Sequence, residues 1–447
     1  MKKRILLIDP PFQKFMGFSK NGIPLGLLSL AAKLKEKGHK VEVLDSDYNP
    51  HGTPYPFMAK ISHYGEYLNN LKNEDHPIWK SISAQIEKSK PDIVGISFIS
   101  TKLRSGLRVA RIAKEMGVER VVAGGPHITI QPDDVIREGS SVDYAIVGEV
   151  EEQMEVFEGT PKYKIIKAKR IQDLDSLPWM DRESLIGIET YEPSDLGFMI
   201  TSRGCSGSCN FCCSEKLWGK RVRFRSIGDV IAEMDGVNKR YGTRKFYLTD
   251  DTFTLNRKRV LEFTQGIRGK DYEWGCLTRA DKLNAKILRE MIESGCSMIK
   301  LGIESGSQKV LDLMKKGTTL DQARNAAKLL NNSSTRWMAY VMVGVPGETS
   351  EDTNATMRFI NEIKPTYVSA AIYTPYIGTG FYKNGAVFSR TGLLKDRTGS
   401  DHAIEEANHH SLEVITGDVP REKIIEFMEF ADRYNLVSKK AIRNQKS

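Results

Sequence analysis

Residues 92–127 read DIVGISFISTKLRSGLRVARIAKEMGVERVVAGGPH, and this stretch indicates the class of fold. Residues 92–98 form a short apolar run typical of a buried strand, and residues 120–123 form another. Between them, residues 103–116 have the apolar spacing of an amphipathic helix. A strand, a helix and a strand in this order are typical of a parallel sheet with crossover helices, so we predict an α/β fold.

The same alternation extends through the first 160 residues. Further apolar strands are predicted at residues 3–8, 41–44 and 143–147, and a helix at residues 24–37. In sheets of this kind, ligands bind at the carboxyl ends of the strands. We therefore predict a Rossmann-like (flavodoxin-like) domain at residues 1–160 that binds its ligand at this edge.

The second half of the chain predicts a second sheet. It follows residues 161–197, which show no sustained period and are predicted to be a connector. Six more strands are predicted at residues 198–202, 245–249, 274–278, 298–303, 337–343 and 367–373. Because six strands are too few to close an eight-stranded barrel, we predict an open, partial (β/α)6 barrel over residues 198–374. Residues 375–447 are predicted to be a small C-terminal substrate cap that ends in a helix.

The composition excludes several classes of protein. Of the 447 residues 40% are hydrophobic, which is enough for globular cores. The apolar run at residues 5–8 ends at Asp9, too early for a secretory signal, and no stretch approaches the roughly 18 apolar residues of a membrane span. Lys and Arg exceed Asp and Glu by 66 to 57, a charge of +9 that is weak evidence for nucleic acid. We expect a cytoplasmic monomer without membrane or nucleic-acid partners.

The cysteines are the most informative residues in the composition. None of the 6 occurs before residue 205, and four lie in RGCSGSCNFCC at residues 203–213. Such clustering indicates a metal site and not a disulfide framework. Cys205, Cys209 and Cys212 have CxxxCxxC spacing, so their thiolates can bind three irons of a [4Fe–4S] cube and leave the fourth iron open. The alternatives are a structural zinc site with Cys213 as fourth ligand, or buried thiols without a metal.

This loop resembles that of the radical S-adenosylmethionine (SAM) superfamily, in which CxxxCxFC follows the first strand of a partial barrel. The resemblance implies that the open iron binds SAM and that the reduced cluster cleaves it to a 5′-deoxyadenosyl radical. An external electron donor such as flavodoxin or ferredoxin is also implied. Segments similar to the family's SAM-binding motifs follow in order: FYLTDDTF (246–253), LTRAD (277–281), GIESG (302–306) and VMVGVPGET (341–349). The SAM-binding residues so implied are Phe211, Asp250, Asp251, Arg279, Glu304, Ser305, Val343 and Gly344.

The first domain resembles the cobalamin-binding domain. Its Ser-x-Leu and Gly-Gly signatures are matched by SFI at residues 97–99 and GG at residues 124–125. The family's domain has a cobalt-ligating histidine after the first strand, but residues 9–12 read DPPF here, so we expect cobalamin without a histidine lower ligand. His39 and His51 are expected to be surface residues. The residues predicted to contact cobalamin are Pro10, Pro11, Gly26, Ser97, Ser100, Thr101, Gly124, Gly125, His127, Gly148 and Glu149. Another ligand, or none, is the alternative.

Together these resemblances imply a cobalamin-dependent radical SAM methyltransferase. Such an enzyme would activate an unactivated carbon, or a phosphinate-like centre, of a small-molecule or peptide substrate and transfer a methyl group from methylcobalamin. Tyr373 and Tyr376 are candidate catalytic residues. The alternatives are a cobalamin-dependent radical SAM cyclase or ring-rearranging enzyme without methyl transfer, and a cobalamin/Fe–S redox sensor.

Overall fold

The structure is a computed structural model that describes residues 2–18, 22–50, 63–374, 376, 378–382 and 419–444. The chain separates into two compact units, the first formed by most of residues 1–196 and the second by most of residues 197–447. Within the described residues, no helix is long and apolar enough to span a membrane. Most of the predicted cap at residues 375–447, and His51, lie outside the described residues.

The first unit contains a six-stranded parallel sheet with strand order β2-β1-β3-β4-β5-β6. Its strands are β1 (Arg4–Asp9), β2 (Lys40–Asp45), β3 (Ile93–Ser97), β4 (Arg120–Gly124), β5 (Tyr144–Val147) and β6 (Ile165–Lys167). Its helices are α1 (Leu25–Glu36), α2 (Tyr64–Lys72), α3 (Pro77–Ser89), α4 (Leu103–Glu115), α5 (Pro126–Ile130) and α6 (Glu155–Glu158). The central strands are almost wholly apolar and buried, as expected where helices cover both faces of a sheet. The predicted Rossmann-like (flavodoxin-like) sheet is confirmed.

Strand β6 is not predicted by the sequence, because it lies inside the predicted connector. It extends the sheet by pairing with β5, with Ala145 opposite Ile165 and Val147 opposite Lys167. A strand of three residues is too short to show alternation. Later in the connector, Leu185 forms a parallel bridge with Val43 of β2. Much of this segment therefore folds as part of the first unit.

The second unit contains a six-stranded parallel sheet whose strands pair in chain order. They are β7 (Phe198–Met199), β10 (Lys245–Leu248), β11 (Glu273–Arg279), β12 (Cys296–Glu304), β13 (Arg336–Val343) and β14 (Tyr367–Ile372). A separate antiparallel ribbon consists of β8 (Ser202–Arg203) and β9 (Arg223–Phe224). The helices are α7 (Ser214–Trp218), α8 (Ile227–Tyr241), α9 (Arg257–Ile267), α10 (Ala285–Glu293), α11 (Gln308–Leu313), α12 (Leu320–Asn331), α13 (Ser350–Ile363) and α14 (Arg421–Asn444). Among the described strands, β7 and β14 do not pair, which confirms the predicted partial barrel.

Side-chain caps fix the start of the crossover helices in the second unit. The Ser226 hydroxyl accepts the Asp229 amide at the start of α8, and the Asn284 side chain accepts the Ile287 amide at the start of α10. Thr349 forms a reciprocal capping box at the start of α13. Each such cap contributes about 1 kcal/mol to helix stability, so the turns that end the preceding strands are well defined.

A buried ion cluster organises the loop after β1 in the first unit. The Lys102 ammonium is 2.8 Å from an Asp9 oxygen and 3.2 Å from Asp47 Oδ2, and these side chains are almost fully buried. Asp47 Oδ1 also accepts the backbone amides of Phe12, at 2.7 Å, and of Lys14, at 2.9 Å. The cluster therefore joins the carboxyl ends of β1 and β2 to the turn after β3.

We expect Lys102→Met to destabilise the first unit by about 3 kcal/mol, because it leaves buried carboxylates without their countercharge. Thermal or denaturant unfolding of the purified chain measures this change. The matched control is Lys80→Met, since the Lys80 ammonium is mostly exposed and its contact with Asp75 is 3.5 Å. Equal effects of the two substitutions would contradict the stabilising role of the cluster.

Candidate functional site

The cysteine-rich loop leaves the partial barrel directly after β7, and Asp250 anchors its start. The predicted strand at residues 198–202 is shorter in the structure, because the chain turns after Met199 into the β8–β9 ribbon. Both Asp250 oxygens are engaged there: they accept the amides of Thr201, at 2.7 Å, and Ser202, at 2.9 Å, and the Thr201 hydroxyl at 2.5 Å. The structure thus shows Asp250 as an internal anchor, and its contact with SAM stays a prediction.

The loop brings the predicted cluster ligands together as free thiols. The sulfurs of Cys205 and Cys209 lie 3.5 and 3.7 Å from the position that a Cβ at Gly207 would take, so both thiols lie in van der Waals reach of this position. The Gly207 amide donates to the Cys205 sulfur and the Ser214 amide to the Cys212 sulfur, each at 3.4 Å. Amide donors of this kind stabilise thiolates, and the donor set fits an iron–sulfur cluster.

The zinc alternative requires Cys213 as a fourth ligand. In the described part of the chain, no group of three His, Cys, Asp or Glu side chains is arranged to hold a metal ion. The Cys213 thiol is half-buried, and its burial raises its pKa to about 11.

Two cations lie beside the cysteine loop. Arg279, at the end of β11, directs Nη1 towards the Cys209 sulfur at 4.0 Å, donates from Nη2 to the Lys316 carbonyl at 2.8 Å, and donates from Nε to Asp281 at 2.8 Å. Burial raises the pKa of the Cys209 thiol, and the charges of Lys316 and Arg279 oppose that rise. Arg279 is thus held at the loop by three partners, and its contact with the SAM carboxylate stays a prediction.

Glu304 forms a buried ion pair that the sequence does not predict. It ends β12 with a φ of +67°, a left-handed conformation that is uncommon outside glycine. The Lys316 ammonium lies 2.6 Å from its Oε1, and both residues are almost fully buried. A Cβ at Gly302 would come within 2.8 Å of both charged groups, so a side chain at this position would displace the ion pair. The pair places a carboxylate at a strand end that is predicted to bind SAM.

The neighbouring predicted SAM residues, Ser305 and Asp251, have internal partners. Ser305 is fully buried, its hydroxyl lies 3.1 Å from that of Thr356, and it accepts the Ser307 amide at 3.1 Å. Asp251 accepts the Ser214 hydroxyl at 2.5 Å, at the end of the cysteine loop. Burial raises the pKa of the Asp251 carboxyl. Their roles in SAM binding stay predictions.

The turn after β13 is built on a buried carboxyl group that the sequence analysis missed. Val343 ends the strand and Gly344 has a φ of +86°. Glu348, fully buried, accepts the amides of Gly344 at 2.8 Å and of Val345 at 3.0 Å. Its other oxygen accepts the Thr353 hydroxyl at 3.1 Å, and burial raises the pKa of this carboxyl to about 7.

Tyr373 and Phe211 lie in one apolar cluster at this edge of the barrel. Tyr373 follows β14 and packs with Val310, Met314 and Val345, and Phe211 of the cysteine loop packs against them. Burial raises the pKa of the Tyr373 and Tyr376 phenols, so both are protonated at neutral pH. Their catalytic roles stay predictions.

In the first unit, several predicted cobalamin residues lie along the carboxyl edge of the sheet. Gly124 ends β4, and Gly148 follows β5. A Cβ at Gly124, or at Gly26 in the first turn of α1, would meet no described atom within 4 Å, whereas a Cβ at Gly148 would lie 3.4 Å from the Ala168 carbonyl oxygen. Room for a ligand is therefore available at Gly26 and Gly124.

Other predicted cobalamin residues at this edge are more enclosed. Pro10 and Pro11 are buried in the loop after β1, and Thr101 is half-buried in the turn after β3. Glu149 is buried after β5, with one oxygen 4.0 Å from the Arg170 guanidinium. Their contacts with cobalamin stay predictions.

Gly125 is required by the protein's own packing. Its φ is +98°, and a Cβ there would lie 2.8 Å from the Phe98 carbonyl oxygen and 3.0 Å from the Ser97 hydroxyl. The turns after β3 and β4 are joined at this point, since the Phe98 amide donates to the Gly124 carbonyl at 2.8 Å and the His127 amide donates to the Phe98 carbonyl at 3.0 Å. Gly125 therefore permits a close approach of two turns.

The described histidines of the first unit bear on the predicted absence of a lower ligand. His39, expected at the surface, is buried, because it lies before β2 and its Nδ1 accepts the Lys3 amide at 3.2 Å. That place is at the amino edge of the sheet, away from the ligand edge. His76 caps α3, and both ring nitrogens of His127 have protein partners. Binding without a histidine ligand stays a prediction.

Four charged residues of these sites are missed by sequence reasoning: Lys102, Asp134, Lys316 and Glu348. Each acts through a partner that the fold supplies, such as Asp9 for Lys102, 93 residues away. Only Glu348 has a local signal, since it follows a Gly-Pro-Gly turn and can reach back to the turn amides.

The fold and the cysteine loop together define an iron–sulfur enzyme with a second cofactor domain, and comparisons with known proteins agree. Residues 199–360 match the family model of the radical SAM superfamily, and residues 18–158 match that of the B12 binding domain. An uncharacterized methyltransferase of Pyrococcus horikoshii is 30% identical over 406 residues, which cover 85% of this chain and 82% of that protein.

Two further proteins are similar over shorter or more divergent stretches. An anaerobic magnesium-protoporphyrin IX monomethyl ester cyclase of Rubrivivax gelatinosus is 29% identical over 66% of this chain and 58% of its own length. The structure of the radical SAM methyltransferase TsrM from Kitasatospora setae, with cobalamin and a [4Fe–4S] cluster bound, has a TM-score of 0.66 at 16% identity and covers 86% of this chain and 74% of that chain.

The chain belongs to the radical SAM superfamily, among the enzymes that also have a cobalamin-binding domain. Its cofactors are a [4Fe–4S] cluster, SAM and cobalamin, as the sequence resemblance implies. Because this is a family of enzymes, the redox-sensor alternative is set aside.

The buried Glu348 predicts a measurable pH dependence of stability. Its pKa is about 7 in the fold against an ordinary value of 4.5, so between these values the native state binds a proton that the unfolded state lacks. The free energy of unfolding should therefore fall as pH rises through this window, by about 3 kcal/mol in all. Glu348→Gln should remove this fall.

The measurement compares denaturant unfolding of the two ligand-free proteins at about pH 5 and about pH 8. Glu362→Gln is the control, because Glu362 is an exposed partner of Arg324. If the difference in the free energy of unfolding between wild type and Glu348→Gln did not change with pH, the Glu348 carboxyl would not titrate in this window.

Proposed function

We propose that the chain is a cobalamin-dependent radical SAM methyltransferase that methylates an unactivated carbon, or a phosphinate-like centre, of a small-molecule or peptide substrate. The observation that carries the proposal is the open cysteine loop, with three thiols and two cations, in a chain that also has a cobalamin-binding unit. When bound, the cluster and SAM supply a 5′-deoxyadenosyl radical, and cobalamin supplies the methyl group. The methyltransferase relative, similar over most of both chains, supports this reaction.

The chain's own residues hold and orient these groups. Cys205, Cys209 and Cys212 would ligate the cluster, with the amides of Gly207 and Ser214 compensating charge on two of the sulfurs. Arg279 lies against this loop and presents a planar cation suited to a carboxylate.

The end of β12 supplies a complementary negative group. The Lys316 ammonium fixes the Glu304 carboxylate at this strand end, so that the carboxylate can accept hydrogen bonds from hydroxyl groups without reorganising. The positive φ of Glu304 directs its side chain and is the kind of backbone strain found at binding sites.

Cyclisation or ring rearrangement without methyl transfer is the second candidate. The similarity to the magnesium-protoporphyrin monomethyl ester cyclase supports it, although the alignment covers little more than half of that protein. The cofactor-binding residues are the same in both proposals, so the products must decide. An acidic electron carrier such as flavodoxin or ferredoxin is the proposed reductant in either case.

Product analysis separates the two reactions. For methyl transfer we expect one 5′-deoxyadenosine and one S-adenosylhomocysteine per product, and a product heavier than its substrate by one CH2 group. The assay uses the anaerobic, reconstituted protein with reductant, SAM and hydroxocobalamin, so that every transferred methyl group comes from SAM, and mass spectrometry of candidate substrates. Formation of 5′-deoxyadenosine without S-adenosylhomocysteine would favour the cyclase, and no SAM cleavage with any reductant would overturn both proposals.

The cluster ligands are tested by iron content. We expect Cys205→Ala, Cys209→Ala and Cys212→Ala each to lose the cluster absorbance and SAM cleavage, because the cube then lacks one of its three anchors. Cobalamin binding should persist in all three variants, because the residues predicted to bind cobalamin belong to the first unit and the cysteines to the second. Cys213→Ala is the control and should keep its iron. Loss of metal from Cys213→Ala, with retention in one of the others, would contradict the ligand assignment.

A further inference from the structure

A chain of three polar side chains in the first unit links the turn after β3 to the turn after β4. The Ser100 Oγ lies 3.0 Å from His127 Nδ1, and His127 Nε2 lies 3.0 Å from Asp134 Oδ2. His127 and Asp134 are buried, whereas Ser100 is half-buried at the carboxyl edge of the sheet. Asp134 is not among the residues predicted to bind cobalamin.

The polarity of these hydrogen bonds follows from the acceptor at one end. A carboxylate can only accept, so the proton lies on His127 Nε2, which donates to Asp134. We assign this single ring proton to His127, so that Nδ1 is an acceptor and the Ser100 hydroxyl donates to it. The Ser100 oxygen is left with lone pairs and no hydrogen to offer, so its outer face can only accept a hydrogen bond.

Ser100 is held in place from both sides. Two residues further along the same turn, Lys102 is fixed by Asp9 and Asp47. On the other side, the turns after β3 and β4 are already joined by backbone bonds between Phe98 and residues 124 and 127. These contacts hold the two turns together independently of the Ser100 hydroxyl.

We propose that Ser100 accepts a hydrogen bond from an amide N–H at the rim of bound cobalamin, and that His127 and Asp134 are positioning residues that orient it. The inference rests on the proposed cobalamin site. The corrin rim carries primary amides, which donate, whereas the phosphate of the nucleotide tail only accepts and would meet the Ser100 lone pairs unfavourably. The ribose hydroxyl groups of the tail can also donate, so the experiment must separate the rim from the tail.

The test compares binding of cobalamin with binding of cobinamide, which has the same rim amides but lacks the nucleotide. Equilibrium dialysis of the full chain with each compound gives the dissociation constants. We expect Ser100→Ala to weaken both by the same factor, about 5–10-fold, which corresponds to one hydrogen bond. Ser100→Thr keeps the hydroxyl and should restore both affinities.

The positioning role is tested by coupling. Asp134→Asn removes the obligate acceptor and should weaken both compounds by a similar factor, and the double variant with Ser100→Ala should bind no worse than either single variant. If the two substitutions weakened binding additively, Asp134 would not act through Ser100, which would contradict the positioning role. Thermal unfolding of the ligand-free variants shows whether each one folds. If Asp134→Asn fails to fold, the comparison of Ser100→Ala with Ser100→Thr still tests the proposed hydrogen bond.

Two other outcomes overturn the proposal. If Ser100→Ala weakens cobalamin but not cobinamide, the contact is with the nucleotide tail. If it weakens neither, the polar chain only joins the turns. Failure of the wild-type chain to bind either compound would instead overturn the proposed cobalamin site.

Discussion

Parallel strands deliver all their carboxyl ends to one edge of a sheet, and this constraint organises both units of the protein. In the second unit the cysteine loop, Arg279, Glu304, Gly344 and Tyr373 follow successive strands and therefore meet at that edge. None of them is adjacent in sequence to the next. The site is thus a consequence of strand topology, and its chemistry is set by short turns that vary without changing the sheet.

The buried ionisable groups at these edges are stabilised in two ways. Lys102 and Lys316 are paired with carboxylates at hydrogen-bond distance, so ionised groups persist in places of low exposure. Burial raises the pKa of the Glu348 carboxyl to about 7, although its three neutral donors oppose that rise. Asp250, with three neutral donors, shows that a residue within a cofactor motif can anchor the backbone.

Much of the fold was accessible from the sequence, because long apolar runs determine strands. The predicted strands at residues 274–278 and 298–303 lie within β11 and β12. By contrast, the sequence does not predict β6, because three residues are too few to show an alternation of apolar and polar side chains. The prediction for β7 extends beyond the observed strand, because the turn into the ribbon depends on Asp250. The role of Lys102 could not be predicted, since its partner Asp9 is 93 residues away and becomes a neighbour only when the strands assemble. Asp134 is only seven residues from its partner His127, but the sequence pattern does not show that the two side chains meet.

The central claim is that the three-cysteine loop holds a cluster with an open iron that binds SAM. Electron paramagnetic and electron–nuclear double resonance of the reduced, reconstituted protein, with SAM labelled by a magnetic oxygen isotope in its carboxylate, tests it most directly. The account predicts a reduced-cluster signal that changes when SAM is added and shows coupling to the labelled oxygen. A cluster signal that SAM leaves unchanged, with no coupling, would contradict it.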